Sequence, residues 1–208
     1  MMTTTTNVVQ TLEAIATGHM VLVVDDADRE DEADLMIAAD HVTPEAIAFM
    51  AFNGGGLVCV AMTGARLDEL ELDLMVPSSV NTALHGTAFT VSVDAVHDTK
   101  TGISAFDRAQ TIRALVSVNT GPQDLARPGH VFPLRAHPSG VLGRRGQTEA
   151  GVDLARLAGC SPAAVICEVM VEDGTMARGA YLAQFASEHR LPLVTVEELV
   201  AHRRGLGD

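Results

Sequence analysis

Aromatic and basic residues are scarce in this sequence of 208 residues, and their scarcity excludes several classes of function. There is no tryptophan, and aromatic residues make up 3% of the chain, too few for a platform on which nucleic-acid bases could stack. Because 27 acidic residues outnumber 14 lysines and arginines, the net charge of −13 argues against binding to nucleic acid or to an anionic membrane. A small anionic substrate is compatible with this charge, since a few well-placed arginines bind one phosphate.

Cysteines and long apolar runs are also few. The cysteines at positions 59, 160 and 167 are odd in number and widely spaced, which argues against a disulfide framework or a structural zinc site. Cys59 and Cys167 lie in apolar, strand-like runs and are predicted to be reduced core residues. No apolar run approaches the roughly 20 residues of a membrane span, and the N-terminus lacks a signal-peptide pattern. We therefore predict a cytoplasmic protein.

Helix-like and strand-like segments are mixed along the chain and predict an α+β fold. The first two predicted strands are joined by a short turn, which indicates a hairpin and favours a mixed sheet flanked by helices over a doubly wound parallel sheet. Residues 120–147 are rich in Gly, Pro and Arg, so no element is predicted there. The length suits one core, and we predict a single domain over residues 1–208. Strands are predicted at 19–24, 35–39, 57–62, 89–93, 165–170 and 193–195, and helices at 7–17, 44–53, 66–74, 104–118, 148–159, 178–189 and after 195.

An acidic turn separates the first two predicted strands. Residues 25–34, DDADREDEAD, contain seven acids and one cation, Arg29. A solvated hairpin loop would explain a charge run, but a loop that needs only solubility would mix the signs of its charges. A divalent cation such as Mg²⁺ would relieve the repulsion, because it prefers oxygen ligands. The turn is therefore a candidate metal-binding segment.

Three further segments offer groups for phosphate binding or proton transfer. Thr101 and Ser104 precede a predicted helix, whose N-terminus suits an oxyanion, although an ordinary capped helix looks the same. His130 lies in a rigid proline-rich segment, and its ordinary pKa of about 6.5 suits proton transfer, although a lone histidine is more often structural. Residues 143–148, GRRGQT, lead into a helix and form either a phosphate cradle or a basic surface loop.

A single carboxylate also interrupts the predicted strand at 165–170. If the side chain of Glu168 is buried there, its pKa should be raised, which suits a general acid or base. Together with the segments above, the chain offers acids, a base, a metal site and phosphate-binding groups. Enolisation of a sugar phosphate requires these parts.

These segments resemble the 3,4-dihydroxy-2-butanone 4-phosphate synthase family of riboflavin biosynthesis. The resemblance runs from about residue 8 to residue 204 and rests on six motifs in order: DDADREDEAD, HGTAFTVSVDA, TGISAFDR, RPGHVFPLR, RRGQTEA with VDLARLAG, and ICEVM with DGTMAR. It implies a homodimer with active sites at the subunit interface. It also implies a lyase that uses Mg²⁺ or Mn²⁺ to convert D-ribulose 5-phosphate into L-3,4-dihydroxy-2-butanone 4-phosphate and formate. The family reaction begins with an enediol, continues with a skeletal rearrangement, and releases C4 as formate.

The resemblance assigns roles to individual residues of this sequence. It implies that His130, Glu168 and Glu32 are catalytic and that Glu30 and Gln147 bind the metal. The residues that it implies for substrate binding are Arg29, Glu30, Asp34, Thr101, Ser104, Arg144, Arg145, Gly146, Gln147 and Thr148.

One departure from the family pattern concerns the metal. The family segment R-x-G-H-T has its metal-binding histidine at the position of Gln147. A glutamine oxygen can bind Mg²⁺, but it is a neutral, weaker donor without the proton chemistry of imidazole. The leading hypothesis is an active synthase. The alternatives are a paralogue that enolises a ketose phosphate without releasing formate, and a non-catalytic protein that binds a sugar phosphate.

Overall fold

The computed structural model describes residues 7–26 and 28–207. The first six residues, Ala27 of the acidic turn and Asp208 lie outside the described residues, so the prediction of one domain over residues 1–208 stays a prediction. The strands are β1 (Val21–Val24), β2 (Ala33–Ala38), β3 (Cys59–Met62), β4 (Val93–Ala95), β5 (Leu125–Arg135), β6 (Ala163–Glu168) and β7 (Leu193–Thr195). They form one mixed sheet in the order β4-β5-β3-β6-β2-β1-β7.

Helices cover both faces of the sheet and enclose a separate core on each. They are α1 (Val8–Ala16), α2 (Pro44–Phe49, continued by a π-helical turn at Met50–Gly54), α3 (Gly64–Glu69), α4 (Ala105–Val116), α5 (Gln147–Leu157), α6 (Ala180–His189) and α7 (Val196–Gly205). Helices α1, α5 and α7 pack on one face, and α2, α3, α4 and α6 on the other. The α+β prediction is confirmed. No helix in the described ranges has both the length and the apolar character needed to cross a membrane.

The predicted hairpin is confirmed, and its register places carboxylates at one end of the sheet. Strands β1 and β2 pair antiparallel, with Val24 opposite Ala33 at the acidic turn. Alternate residues of β2 point to opposite faces, so Leu35 joins the core of α2 and α4 while Met36 joins the core of α5. Strand β2 also pairs antiparallel with β6, and this register sets Asp34 opposite Glu168.

The other half of the sheet differs from the sequence-based prediction. Residues 125–135, for which no element was predicted, form the eleven-residue strand β5, which pairs with β3 and β4. Its prolines argue against a strand, but β5 accommodates them. The carbonyl of Pro133 accepts the backbone N–H of Thr90, and proline has no N–H group of its own that would need an acceptor. The predicted strand at 89–93 is wrong because Phe89 and Thr90 form single bridges to different partners, and regular pairing begins at Val93.

Several predicted helix boundaries match the structure, and others shift. Gly18 follows α1 with a φ of +82°, and α7 begins after Thr195, which forms a capping box with Glu198. Helix α3 spans Gly64–Glu69 instead of 66–74, because Glu71 adopts a φ of +53° that a helix does not allow. Strand β6 ends at Glu168, two residues earlier than predicted, so this carboxylate lies at the end of the strand.

Candidate active site

A cavity of about 530 Å³ opens where the acidic turn, the end of β6 and the start of α5 meet. Its walls combine carboxylates from the first hairpin with the segment that precedes α5. Among the predicted site residues that line it are Arg29, Glu30, Glu32, Asp34, Arg144, Gln147, Thr148 and Glu168. Eight of the thirteen different residues proposed from the sequence thus meet in one cavity of a single chain.

The carboxylates of this cavity repel one another. Asp34 is only 4% exposed, and no hydrogen-bond partner for its Oδ1 atom exists among the described residues. Burial, and then the negative charges of Glu168 and Glu30, raise the pKa of Asp34 well above its usual range. Burial, with the charge of Glu30 next, also raises the pKa of Glu32. The site therefore has a surplus of negative charge that a cation would neutralise.

Glu168 is half-buried, so the condition of a buried side chain is only partly met. Its Oε2 atom accepts the backbone N–H of Leu57 at 2.8 Å, so the loop before β3 holds one oxygen in place. A side chain at Gly56 would overlap the Glu168 side chain, and only glycine allows this loop to approach so closely. Glu168 is thus fixed by the backbone of residues 56 and 57 while it faces the cavity.

Arg29 joins the acidic turn to the segment before α5. Its Nη1 atom donates to Oδ2 of Asp25 at 2.5 Å and to Oε1 of Gln147 at 2.9 Å, and its Nη2 atom lies 3.0 Å from Oε1 of Glu30. Burial raises the pKa of Asp25, and the hydrogen bond from Arg29 opposes that rise. The Gln147 oxygen, predicted as a metal ligand, therefore accepts a hydrogen bond from a guanidinium in this structure.

The α5 side of the cavity has groups suited to a phosphate. Arg144 donates from Nη1 to Oε2 of Glu149 at 2.6 Å and from Nη2 to the carbonyl of His85 at 3.1 Å. Glu149 is almost fully buried, and its other oxygen accepts the backbone N–H of His137, so the guanidinium is held in one orientation. Gly146 is the N-cap residue of α5, and Thr148 in the first turn lines the cavity at this helix N-terminus, where backbone N–H groups suit an anion.

Two predicted binding residues have structural roles outside the cavity lining. Arg145 donates from Nε and Nη2 to both oxygens of Asp26, at 2.5 and 2.9 Å. Ser104 caps α4 by accepting the backbone N–H of Asp107. Both contacts match the simpler interpretations, a basic surface loop and an ordinary capped helix.

His130 and Thr101 also lie outside the lining of this cavity. His130 belongs to the N-terminal half of β5, where the strand pairs with β4, and its side chain is 43% exposed. Its Nδ1 atom lies 2.7 Å from Oδ2 of Asp94. Gly102, next to Thr101, lies against this pair. The structure therefore divides the predicted site of one chain into a carboxylate and phosphate cavity and a separate histidine group.

A family model described as 3,4-dihydroxy-2-butanone 4-phosphate synthase matches residues 9–202. The chain belongs to this family. The 3,4-dihydroxy-2-butanone 4-phosphate synthase of Agrobacterium fabrum is 59% identical over 194 residues, which cover 93% of this chain and 90% of that protein. The riboflavin biosynthesis protein RibBA of Aquifex aeolicus is 55% identical over 196 residues, and the match covers 93% of this chain but 48% of RibBA. The resemblance inferred from the six motifs is confirmed.

Solved structures of the synthase family have the same fold. A crystal structure of a 3,4-dihydroxy-2-butanone 4-phosphate synthase in complex with two magnesium ions matches with a TM-score of 0.91 and 45% identity, over 96% of this chain and 97% of that one. The two-domain synthase RibBX from A. baumannii matches with a TM-score of 0.91 and 48% identity, over 95% of this chain and 58% of that one.

The residues of this synthase-family chain fit a divalent cation. The cavity offers hard carboxylate oxygens, an excess of negative charge, and the unpartnered Oδ1 of buried Asp34. In the described ranges, no three His, Cys, Asp or Glu side chains form a group that could hold an ion alone. This arrangement suits Mg²⁺, which commonly uses one or two carboxylates and completes its coordination with water or substrate oxygens.

Some residues that line the cavity were not singled out from the sequence, although the quoted motifs contain three of them, Arg178, His85 and Thr87. Arg178, from DGTMAR, donates to the backbone carbonyls of Glu30 and Asp31 at 3.0 and 2.9 Å and so ties down the acidic turn. His85 and Thr87, from HGTAF, line the cavity. Cys59, predicted as a core residue, is buried but also lines the cavity, and burial raises the pKa of its thiol well above the usual range.

Proposed function

We propose that this protein is an active 3,4-dihydroxy-2-butanone 4-phosphate synthase, a lyase that converts D-ribulose 5-phosphate into L-3,4-dihydroxy-2-butanone 4-phosphate and formate. One observation carries the proposal: Glu30, Glu32, Asp34 and Glu168 line the same cavity as Arg144 and Thr148 at the start of α5. Membership in the family supports the same reaction. The alternative of a paralogue with partial chemistry rests on Gln147 alone. The cytoplasmic location stays a prediction.

The substrate phosphate would bind at the α5 end of the cavity. Arg144 supplies a guanidinium whose orientation is fixed by Glu149, and Thr148 supplies a hydroxyl at the helix N-terminus. The five-carbon chain then extends toward the acidic turn, where Arg29 can donate to substrate oxygens. A side chain at Gly146 would overlap the guanidinium of Arg144, so glycine there leaves room for that group. Thr101, Ser104 and Arg145 are poorly placed in one chain for this role.

Glu30 would hold a Mg²⁺ or Mn²⁺ ion, with Gln147 as a second ligand. For Gln147 to serve, its oxygen must exchange the hydrogen bond from Arg29 for the ion. When bound, the ion supplies Lewis acidity that stabilises the negative charge of the enediolate. The Arg29 guanidinium would then lose one of its acceptors and could donate to a substrate oxygen instead.

The proton transfers fall to Glu168, Glu32 and His130. Enediol formation needs a base for the proton on the carbon beside the ketone and an acid for the carbonyl oxygen. Glu168 is held in place by the loop before β3, and the raised pKa of Glu32 brings it closer to the range in which it can donate a proton. His130 adds an imidazole that can accept and return a proton.

We also propose that the active site is completed in a homodimer. One chain supplies the cavity, and a second copy supplies His130, whose ring is partly exposed. Exposed apolar side chains accompany both groups: Leu84 lines the cavity, and Ile103 follows the glycine that lies against His130. Apolar surface at both half-sites supports their meeting in a dimer.

The reaction is tested by incubating the purified protein with D-ribulose 5-phosphate and Mg²⁺ and measuring formate. One formate per dihydroxybutanone phosphate is expected, and Glu168→Gln should abolish it. Absence of formate with both Mg²⁺ and Mn²⁺ would refute the synthase proposal. Exchange of substrate hydrogen with deuterated water in the absence of formate would favour the paralogue.

The shared site is tested by subunit complementation. Homodimers of His130→Ala and of Glu168→Gln should each be inactive. If each site uses His130 from one subunit and Glu168 from the other, co-refolded mixtures should recover about one quarter of wild-type activity, because half of the dimers are mixed and each has one intact site. No recovery in proven mixed dimers would refute the shared site.

A further inference from the structure

The carboxylate of Asp94 binds His130 at two points. The backbone N–H of His130 donates to Oδ1 of Asp94 at 2.9 Å, and Nδ1 of the ring lies 2.7 Å from Oδ2. Both oxygens of one carboxylate are therefore used by one residue, which fixes the backbone and the ring together. The Asp94 side chain is only 14% exposed, so water competes weakly for these bonds.

This contact determines which nitrogen of the ring carries the proton. A carboxylate only accepts hydrogen bonds, so Nδ1 must be the protonated nitrogen in the neutral ring. The lone pair then lies on Nε2, on the side of the ring away from Asp94. An imidazole in this state can accept a proton at Nε2 without first changing its tautomer.

A tightly placed loop shields the Asp94–His130 contact. Gly102 has a φ of +88°, and a side chain at this position would overlap both Oδ2 of Asp94 and Nδ1 of His130. Buried Asp107 holds the loop by accepting the backbone N–H groups of Gly102 and Lys100 at 3.0 and 3.2 Å. The TGISAFDR segment therefore covers this hydrogen bond.

We propose that Asp94 is the positioning residue of His130, which fixes the tautomer with its proton on Nδ1 and directs Nε2 toward the substrate. This inference rests on the proposed function, in which His130 transfers a proton. A substrate proton moves to Nε2, and the electron pair of the broken bond stays on the substrate. The ring becomes an imidazolium, Asp94 remains a carboxylate that stabilises its charge, and the proton later returns from Nε2.

A purely structural clasp between β4 and β5 is the competing interpretation. Other contacts already hold these strands close: Gly129 lies so near Val93 that a side chain would overlap its backbone, and Gly129 donates its N–H to Ser92. The pairing of β4 with β5 is therefore stabilised without Asp94, and the contact of Asp94 with the His130 ring serves to orient the ring.

The test compares wild-type protein with Asp94→Asn and Gly102→Ala. An asparagine NH₂ group placed against Nδ1 would require a lone pair there and would move the ring proton to Nε2. We expect kcat to fall roughly 10- to 100-fold, as for the loss of other groups that orient a catalytic histidine, while KM changes by less than about threefold. Gly102→Ala keeps the carboxylate of Asp94 in the sequence but would force it and the His130 ring apart, and should lower kcat in the same way.

NMR of the ¹⁵N-labelled ring reports the tautomer directly. The wild-type spectrum should show His130 protonated at Nδ1, and Asp94→Asn should lose that signature. Asp124→Asn is the matched control, because Oδ1 of Asp124 lies 3.9 Å from Nε2 of exposed His97 in the same part of the sheet. It should leave kcat and the His130 spectrum unchanged.

The outcomes separate this inference from the proposed reaction. An active enzyme that needs His130 but tolerates Asp94→Asn with unchanged kcat and unchanged tautomer would overturn the positioning role. If wild-type protein releases no formate, the proposed reaction fails. The ring spectra then decide: an Nδ1–H tautomer that depends on Asp94 supports the inference, and any other tautomer overturns it. A variant that fails to fold is replaced by Gly102→Ala, judged by the same spectra.

Discussion

Replacing Asp34 by asparagine should stabilise the protein in the absence of divalent cations. Asp34 and Glu168 are direct partners in the register between β2 and β6, and both line the cavity. Like charges directly opposite on neighbouring strands destabilise a sheet. Asparagine keeps the shape of the side chain, removes its charge, and adds an NH₂ group that can donate to the carboxylate of Glu168.

The size of the effect follows from the register. Opposite residues of an antiparallel pair have Cβ atoms about 5 Å apart. Two unit charges at that distance, at an effective dielectric constant near 20, repel by about 3 kcal/mol. Because the raised pKa lets Asp34 keep its proton for part of the time, the net gain should be smaller, about 1–2 kcal/mol. For a domain of this size the melting temperature should rise by about 2–8 °C.

The stabilisation should depend on pH in a defined direction. The pKa of Asp34 is higher in the folded protein than in the unfolded chain, so the folded state keeps this proton to higher pH. Stability from this group is complete below the unfolded pKa of about 4 and is lost as pH rises through the folded pKa. The advantage of Asp34→Asn should therefore be small near pH 4 and grow as the pH rises.

Thermal unfolding in EDTA and in Mg²⁺ measures both the repulsion between Asp34 and Glu168 and the stabilisation by the bound ion. An ion at a concentration of about 100 times its Kd adds about 2.7 kcal/mol to wild-type stability. Asp34→Asn should gain less from Mg²⁺, because one of the carboxylates that attract the ion is gone. Asp28→Asn is the control: it removes the same charge from an exposed position of the same turn and should change stability by less than about 0.5 kcal/mol. A lower melting temperature for Asp34→Asn in EDTA at pH 8 would refute the repulsion between Asp34 and Glu168.

Three further variants test the other walls of the cavity. Arg178→Ala removes two hydrogen bonds to backbone carbonyls of the acidic turn, so kcat/KM should fall roughly 10-fold in steady-state kinetics, with a stability loss under about 1 kcal/mol because this side chain is 50% exposed. Gln147→His removes the oxygen that accepts from Arg29 and supplies an imidazole nitrogen, a stronger ligand for the metal. Calorimetry should therefore detect roughly 10-fold tighter Mn²⁺ binding. Glu149→Gln loses the charged partner of Arg144, so KM should rise more than kcat falls, and denaturant unfolding should show a loss of about 1–3 kcal/mol. The role given to each contact would be contradicted by an unchanged kcat/KM in Arg178→Ala, an unchanged Mn²⁺ affinity in Gln147→His or an unchanged KM in Glu149→Gln.

The fold was predictable from the sequence where local patterns determine the structure. The hairpin of β1 and β2 follows from two apolar runs around a charged turn, and the cap of α7 follows from the spacing of Thr195 and Glu198. Strand β5 was missed because Pro128 and Pro133 are poor strand residues on local grounds. Its pairing with β3 and β4 is a long-range property that no local window contains.

The site was predictable as motifs but not as contacts. The acidic turn and the segment before α5 stand out by composition, and both line the cavity. The partner of Gln147 is 118 residues away, and the contact between Arg178 and Asp31 spans 147 residues. The pair of Asp94 and His130, 36 residues apart, depends on a register shift between β4 and β5. Only the folded chain determines such partners.

The position of the acidic cluster explains why repulsion persists inside an otherwise apolar sheet. Strand β2 is buried along its whole length, and an apolar residue in place of Asp34 would fit its surroundings and remove an unpartnered oxygen. The fold instead keeps Asp34 opposite Glu168 at the end of the sheet that borders this cavity. A divalent cation bound there would gain free energy from these carboxylates, so the local repulsion and the proposed chemistry have the same physical origin.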